Sequence, residues 1–196
     1  MTLGILKSTK SYHEKYAISC EELGIPCVIV DGLAPDWLQQ VQAARVDGWL
    51  VRPPGEYPEL RALYQERLSL LHRNMGLPIY PTLAELELYE NKRHLADWLA
   101  LYGYPHPETR VFADKESALA YVRQADYPLV FKSNVGSAAL GVRIVRTRCG
   151  ARRLVNRAFG RFHPSLARGI RPRYRKFGVP VPLYGLSQTH YLIVQH

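Results

Sequence analysis

Residues 127–145 read YPLVFKSNVGSAALGVRIV: an apolar run ending in Lys132, nine residues of mostly small side chains, and a second apolar run. Short apolar runs bounded by turn-forming residues predict two β-strands, over 127–132 and 142–145, joined by a loop. Small side chains in that loop matter because backbone N–H groups approach an anion closely only where nothing bulky intervenes. Glycine adds conformations that aim several donors at one point. Gly136, Ser137, Ala138, Ala139 and Gly141 suit that task. Lys132, at the end of the first strand, would point its ammonium toward the same charge. Residues 136–141 also satisfy G-x-x-x-x-G, but a Walker phosphate loop continues into Lys and then Ser or Thr at a helix start. Here Val142 and Arg143 open a strand, which excludes the Walker reading. Taken alone, the pattern also fits a plain hairpin with a surface lysine.

Working upstream, Asn91 is placed to cap a helix whose Leu95, Trp98, Leu99 and Tyr102 have i, i+3, i+4, i+7 spacing, and Gly103 is placed to end it. A strand over 109–112 and a helix over 115–124 capped by Asp114 follow. The first 80 residues alternate short apolar runs with helical periods, the pattern of a parallel sheet covered by helices. Strands are predicted at 3–6, 27–30, 48–51 and 77–80. Helices are predicted at 12–23, along the Trp37, Val41 and Ala44 face, and along Leu60, Leu63, Tyr64, Leu68 and Leu71. This reads as a small Rossmann-like unit. Its first turn, Lys7 to Lys10, lacks the G-x-G-x-x-G that would cradle a dinucleotide, so NAD is disfavoured. That turn and the loop from Arg52 to Gly55 sit where ligands usually meet parallel sheets, and both are candidates for substrate contact.

Composition is that of a globular chain: 47% hydrophobic and 22% charged over 196 residues. The longest apolar runs fall far short of the roughly 20 residues of a membrane span. No secretory signal opens the chain, so a cytoplasmic location is expected. Cys20, Cys27 and Cys149 form no C-x-x-C pair, and the seven histidines form no H-x-x-x-H pair, so no metal site is expected from them. The net charge of +9 lies wholly after residue 150, and the last carboxylate side chain is Asp126. The basic stretch from Arg152 to Lys176 reads either as an anion-binding surface or as a solvated helix and loop. No regular aromatic platform accompanies it, and nucleic acid is disfavoured as a partner.

The order of these features resembles the ATP-grasp superfamily across nearly the whole chain. The resemblance rests on Asn91-Lys92, on Gly103-Tyr104-Pro105-His106-Pro107-Glu108-Thr109, on the strand ending at Lys132, on the small-residue loop from Ser133 to Val142, and on YLIVQH at 191–196. It implies an α/β chain with a Rossmann-like pre-ATP-grasp domain over 1–80 and an α+β first ATP-grasp subdomain over 81–196. It further implies that Lys92 and Lys132 contact ATP phosphates, and that Ser133 to Gly141 form a mobile flap. Val130 and Leu192 would pack against adenine, with Gln195 and His196 at the hinge. Relatives commonly show Gln-Glu at the hinge, so His196 departs from the pattern. The implied activity is that of a carboxylate-amine or carboxylate-thiol ligase acting through an acyl phosphate, on a small-molecule or peptide carboxylate.

The same family holds Mg2+ with acidic residues and an Asn on strands beyond the hinge, here beyond residue 196. As it stands the chain is therefore expected to bind ATP without catalysing. A lone first subdomain would also expose apolar surface on which a homodimer could form. The rival from another class is a noncatalytic nucleotide-binding or basic nucleic-acid-interacting module.

Overall fold

The computed structural model describes residues 1–9, 12–55, 58–134, 141–160 and 189–196. The chain divides into two compact units, Met1–Tyr89 and Glu90–His196. The first is built on four parallel strands: β1 (Leu3–Lys7), β2 (Cys27–Asp31), β3 (Gly48–Val51) and β4 (Ile79–Tyr80), in the order β2-β1-β3-β4. Helices α1 (Tyr12–Glu22), α2 (Trp37–Ala44) and α3 (Pro58–Ser69) connect them, and a π-helical turn at Leu70–Asn74 ends α3. The sequence-predicted strands and helices of this unit are all present. A fourth helix, α4 (Leu83–Leu88), is an addition, and Thr82 and Glu85 close its N-terminus as a reciprocal capping box.

Leu83 and Leu86 of α4 bury themselves in the same core as Leu6, Val30, Trp49, Tyr64 and Leu68. That packing is why the first unit runs to Tyr89, where the sequence reading divided the chain after residue 80. Buried residues on α3 recur as Arg61, Tyr64 and Leu68, with Leu71 just beyond, a spacing that keeps one helical face inward. Arg61 is 3% exposed at that face, a position the apolar pattern alone assigns to no cation. Its guanidinium donates to the carbonyls of Leu86 (3.3 Å) and Tyr89, which ties α3 to the end of α4. Tyr64 donates its hydroxyl to the Leu6 carbonyl at 2.6 Å, and burial raises its pKa far above the ordinary tyrosine value.

The second unit has four antiparallel strands, β5 (Thr109–Phe112), β6 (Leu129–Lys132), β7 (Val142–Val145) and β8 (Leu192–Gln195), ordered β5-β8-β6-β7. Helices α5 (Lys92–Leu101), α6 (Lys115–Gln124) and α7 (Arg148–Ala158) complete it. Asn91 and Asp114 cap α5 and α6 as expected, each accepting from the backbone N–H three residues on. Gly103 adopts φ +67° just past the end of α5.

The apolar period along α5 does not mark its buried face: Ala96 is the buried residue, while Leu95 and Tyr102 are exposed. Trp98 instead gathers Tyr102 and Tyr104 around it, with ring centroids 4.8 and 5.4 Å away. These aromatic side chains cover one another, which lets the face stay outside the core. Among the described residues, no helix is long and apolar enough to cross a membrane.

Gly4 on β1 lies under Trp49, and a Cβ built there would stand 2.5 Å from the indole ring. Gly4→Ala is therefore expected to lower unfolding stability by about 1–3 kcal/mol through overpacking, read as a shift in the urea midpoint by tryptophan fluorescence.

Candidate functional site

Register decides which residues of the second sheet can meet a ligand. Partners across β6 and β8 are Val130 with Gln195, Phe131 with Val194 and Lys132 with Ile193; across β6 and β7, Lys132 faces Val142. Opposed residues share a face, and side chains alternate along each strand. Leu129, Phe131, Leu192 and Val194 therefore form one face, which packs on Ala118 and Val122 of α6 and on Ala151, Leu154 and Val155 of α7. Val130, Lys132, Val142, Ile193 and Gln195 form the other.

This sorts the expected adenine contacts. Val130 lies with Lys132, but Leu192 points into the helix-packed core and is not brought to that face. Ile193, fully buried, is the β8 residue directly opposite Lys132. Telling one from the other needs the register, which a single apolar run of β8 does not reveal. Gln195 donates from Nε2 to Thr109 Oγ1 at 2.9 Å, and the His196 N–H donates to the Glu108 carbonyl at 3.0 Å. Both expected hinge residues are thereby fixed to the segment entering β5.

Lys132 is half buried, and desolvation holds its pKa below the ordinary lysine value. The following loop is closed at its root: the Ser133 N–H donates to the Gly141 carbonyl at 3.0 Å, and Gly141 takes φ +75°. Of the expected flap, Ser133 and Gly141 are described, whereas Gly136, Ser137, Ala138 and Ala139 lie outside the described residues, as does Lys176 at the end of the basic stretch. Lys10 of the first-unit loop lies outside them too.

Lys92, the first residue of α5, reaches this same loop. Its backbone N–H and its ammonium each lie 3.3 Å from the Asn134 carbonyl, two residues beyond Lys132. Glu90 stands 3.8 Å from the ammonium. A cation in the first turn of a helix opposes the helix dipole, and Glu90 offsets that cost. Asn134 is the residue the sequence reading missed, although it lies within the quoted stretch. It is 6% exposed, its Oδ1 accepts from the Arg93 N–H at 2.8 Å, and its own N–H donates to the Tyr191 hydroxyl at 3.2 Å. The Arg93 guanidinium lies 4.4 Å above the Tyr191 ring. Burial pushes the Tyr191 phenol up to about 12, against the Asn134 N–H and the Arg93 charge. Among the described residues, no three His, Cys, Asp or Glu side chains gather into a set able to hold a metal ion.

Lys92 thus reaches the loop that begins one residue after Lys132, and Lys132 lies on the sheet face opposite the one that carries the helices. The fold recurs in solved proteins. A RimK-domain ATP-grasp protein from Sphaerobacter thermophilus superposes with a TM-score of 0.58 at 20% identity, covering 100% of this chain and 64% of that one. The chain thus has the fold of ATP-grasp proteins. The ATP complex of carboxyaminoimidazole ribonucleotide synthase from Aspergillus clavatus gives a TM-score of 0.52 at 17% identity, covering 99% and 46%. By sequence, phosphoribosylamine–glycine ligase of Yersinia pestis is 40% identical over 85 residues, 43% of this chain and 20% of that enzyme. The match thus spans about a fifth of that curated relative's length. No family model matches the chain.

Gly141 leaves no room for a side chain, since a Cβ there would lie 1.9 Å from Ser133 Oγ. Gly141→Ala is expected to cost about 2–4 kcal/mol, combining left-handed strain with the clash. Adding Ser133→Gly should recover the clash and leave the strain, so chemical denaturation of the single and double variants separates the two contributions.

Proposed function

We propose that the second unit binds ATP on the open face of its sheet, as the nucleotide-binding part of an ATP-grasp carboxylate-amine or carboxylate-thiol ligase. The observation that carries this reading is the Lys92 ammonium at the Asn134 carbonyl, two residues beyond Lys132, on the loop rooted at Ser133, Asn134 and Gly141. Triphosphate is the ligand class that fits two ammonium groups set beside a glycine-closed loop and the N-terminus of α5, because each contributes positive potential from a different direction. Val130 offers apolar surface on the face of Lys132, suited to a purine ring, and Gln195 lies across from Val130 at the end of the same face. Gly136, Ser137, Ala138 and Ala139 would complete the flap over the phosphates.

Bound ATP supplies a transferable phosphoryl group. In the reaction class of the family, a carboxylate oxygen accepts it and an amine or thiol then displaces phosphate. The work assigned to this chain is positioning and charge: Lys132 and Lys92 neutralise phosphate oxygens, and the flap excludes water. No magnesium ligand is assigned to the described residues. The first unit is read as the pre-ATP-grasp domain, with Lys7 and Arg52 at the carboxyl ends of β1 and β3 as candidates to meet the carboxylate substrate. A cytoplasmic location follows from the use of ATP.

MgATP should raise the midpoint of thermal unfolding. At a hundred times its Kd the stabilisation is about 2.7 kcal/mol, and Lys132→Ala should remove most of it. Equal midpoints with and without nucleotide in the unsubstituted chain would leave the noncatalytic, non-nucleotide rival standing.

The sign of a pH effect follows from the lowered pKa of Lys132. Burial penalises the ammonium fully below its folded pKa, and the penalty disappears as pH rises from there toward the unfolded value of 10.5. A polyphosphate restores the charged form, so ATP binding at alkaline pH should be accompanied by proton uptake. Calorimetry in buffers of different ionisation enthalpy would measure that uptake, and Lys132→Met should abolish it.

A further inference from the structure

We propose that Asn134 is a positioning residue that sets the place of Lys92 relative to Lys132, and that Tyr191 holds Asn134 for that task; the proposal rests on the ATP reading above. Asn134 binds three partners with three different groups. Its carbonyl accepts from the Lys92 N–H and lies 3.3 Å from the ammonium, its Oδ1 accepts from the Arg93 N–H at 2.8 Å, and its N–H donates to the Tyr191 hydroxyl at 3.2 Å.

The side-chain bond matters most for orientation. The first N–H groups of a helix have no partner within it, and a side-chain oxygen that accepts one of them fixes both the helix start and its direction. Asn91 does this locally by accepting from the His94 N–H. Asn134 does it from 41 residues away in sequence, so the start of α5 is anchored to the residue that follows the end of β6 by two positions. Lys132 is fixed on β6 by pairing on both sides, with Val142 and with Ile193. Asn134, two residues along the chain from Lys132, is thus hydrogen-bonded to Lys92 and is the link between the two lysines.

Tyr191 supplies the third constraint. It immediately precedes β8, and the ring beneath the Arg93 guanidinium is half buried. Its hydroxyl, raised to about 12, stays protonated at neutral pH and accepts the Asn134 N–H through an oxygen lone pair. Arg93 thus touches the network twice, through its backbone to Asn134 and through its guanidinium to Tyr191, which closes the path on itself.

Asn134 touches no phosphate in this scheme and acts only by placing Lys92. A double-mutant cycle on the full chain tests that, with MgATP affinity measured by calorimetry. Asn134→Ala is expected to weaken MgATP up to about tenfold, the upper end for one neutral hydrogen bond lost, here that from the Arg93 N–H to Oδ1. Lys92→Met should cost about tenfold or somewhat more. The double variant should bind about as weakly as Lys92→Met alone, because Asn134 has no lysine left to place. Losses that multiply to about a hundredfold would overturn the proposal, since a merely structural residue weakens binding whether or not Lys92 is present. Unchanged affinity in Asn134→Ala would overturn it too. Should Asn134→Ala fail to fold by circular dichroism, the same cycle run with Tyr191→Phe decides, with about a threefold single effect expected and none in the Lys92→Met background. An unsubstituted chain that binds no MgATP refutes the ATP reading itself, a result that no variant enters into.

Discussion

Pairing on both sides of β6 is the constraint from which the second unit follows. A strand flanked by β7 on one edge and β8 on the other has no freedom to slip, because a one-residue shift would turn Phe131 out of the core and Lys132 into it. Burying an unpaired ammonium among Ala118, Val122 and Val155 would cost several kcal/mol. Leu129 and Phe131, both fully buried, thus hold Lys132 on the opposite face as effectively as any contact that Lys132 makes itself. The aim of the functional group is a by-product of packing on its neighbours.

The distribution of charge in that unit supports a small polyanion rather than an extended one. Residues 90–196 carry eighteen Lys and Arg against six Asp and Glu. Among the described residues, three of these cations lie away from the face that carries Lys132. Arg143 pairs with Phe131 and so shares the helix-packed face, and Arg152 and Arg153 on α7 are exposed on the side away from its buried Ala151, Leu154, Val155 and Ala158. At physiological salt, exposed charges are screened beyond roughly 8 Å, so these arginines raise the general potential without defining a pocket. The open face is defined by fewer cations held in place: Lys132 by its strand, and Lys92 by Asn134 and Glu90.

Much of this was legible in the sequence for a definite reason. Strand, lysine, small residues and strand are local features, and each is set by the residues it contains. The caps at Asn91 and Asp114 and the stop at Gly103 were legible for the same reason. What escaped were features fixed by distant partners. Leu192 and Ile193 are indistinguishable within an apolar run until β6 assigns their faces. Arg61 reads as a surface residue until the Tyr89 and Leu86 carbonyls are set beside it. The face of α5 has a good apolar period, yet Trp98, Tyr102 and Tyr104 satisfy one another outside the core. Asn134 reads as one more polar loop residue, because its partners lie 41 and 57 residues away.

The same contrast explains why the glycine at the end of the loop and the asparagine near its start have different roles. Gly141 is required by what would otherwise occupy its space: left-handed backbone, with Ser133 Oγ where a Cβ would stand. Asn134 is required by what it joins, since no apolar residue of similar volume could accept from Arg93 while its backbone served both Lys92 and Tyr191. The first holds the loop root closed, so that residues 133 and 141 stay paired whatever the residues between them do. The second ties that closed root to a helix and to the approach of β8. Both ends of the loop are therefore held by hydrogen bonds of their own, Ser133 to Gly141 at the root and Asn134 to Lys92, Arg93 and Tyr191 beside it.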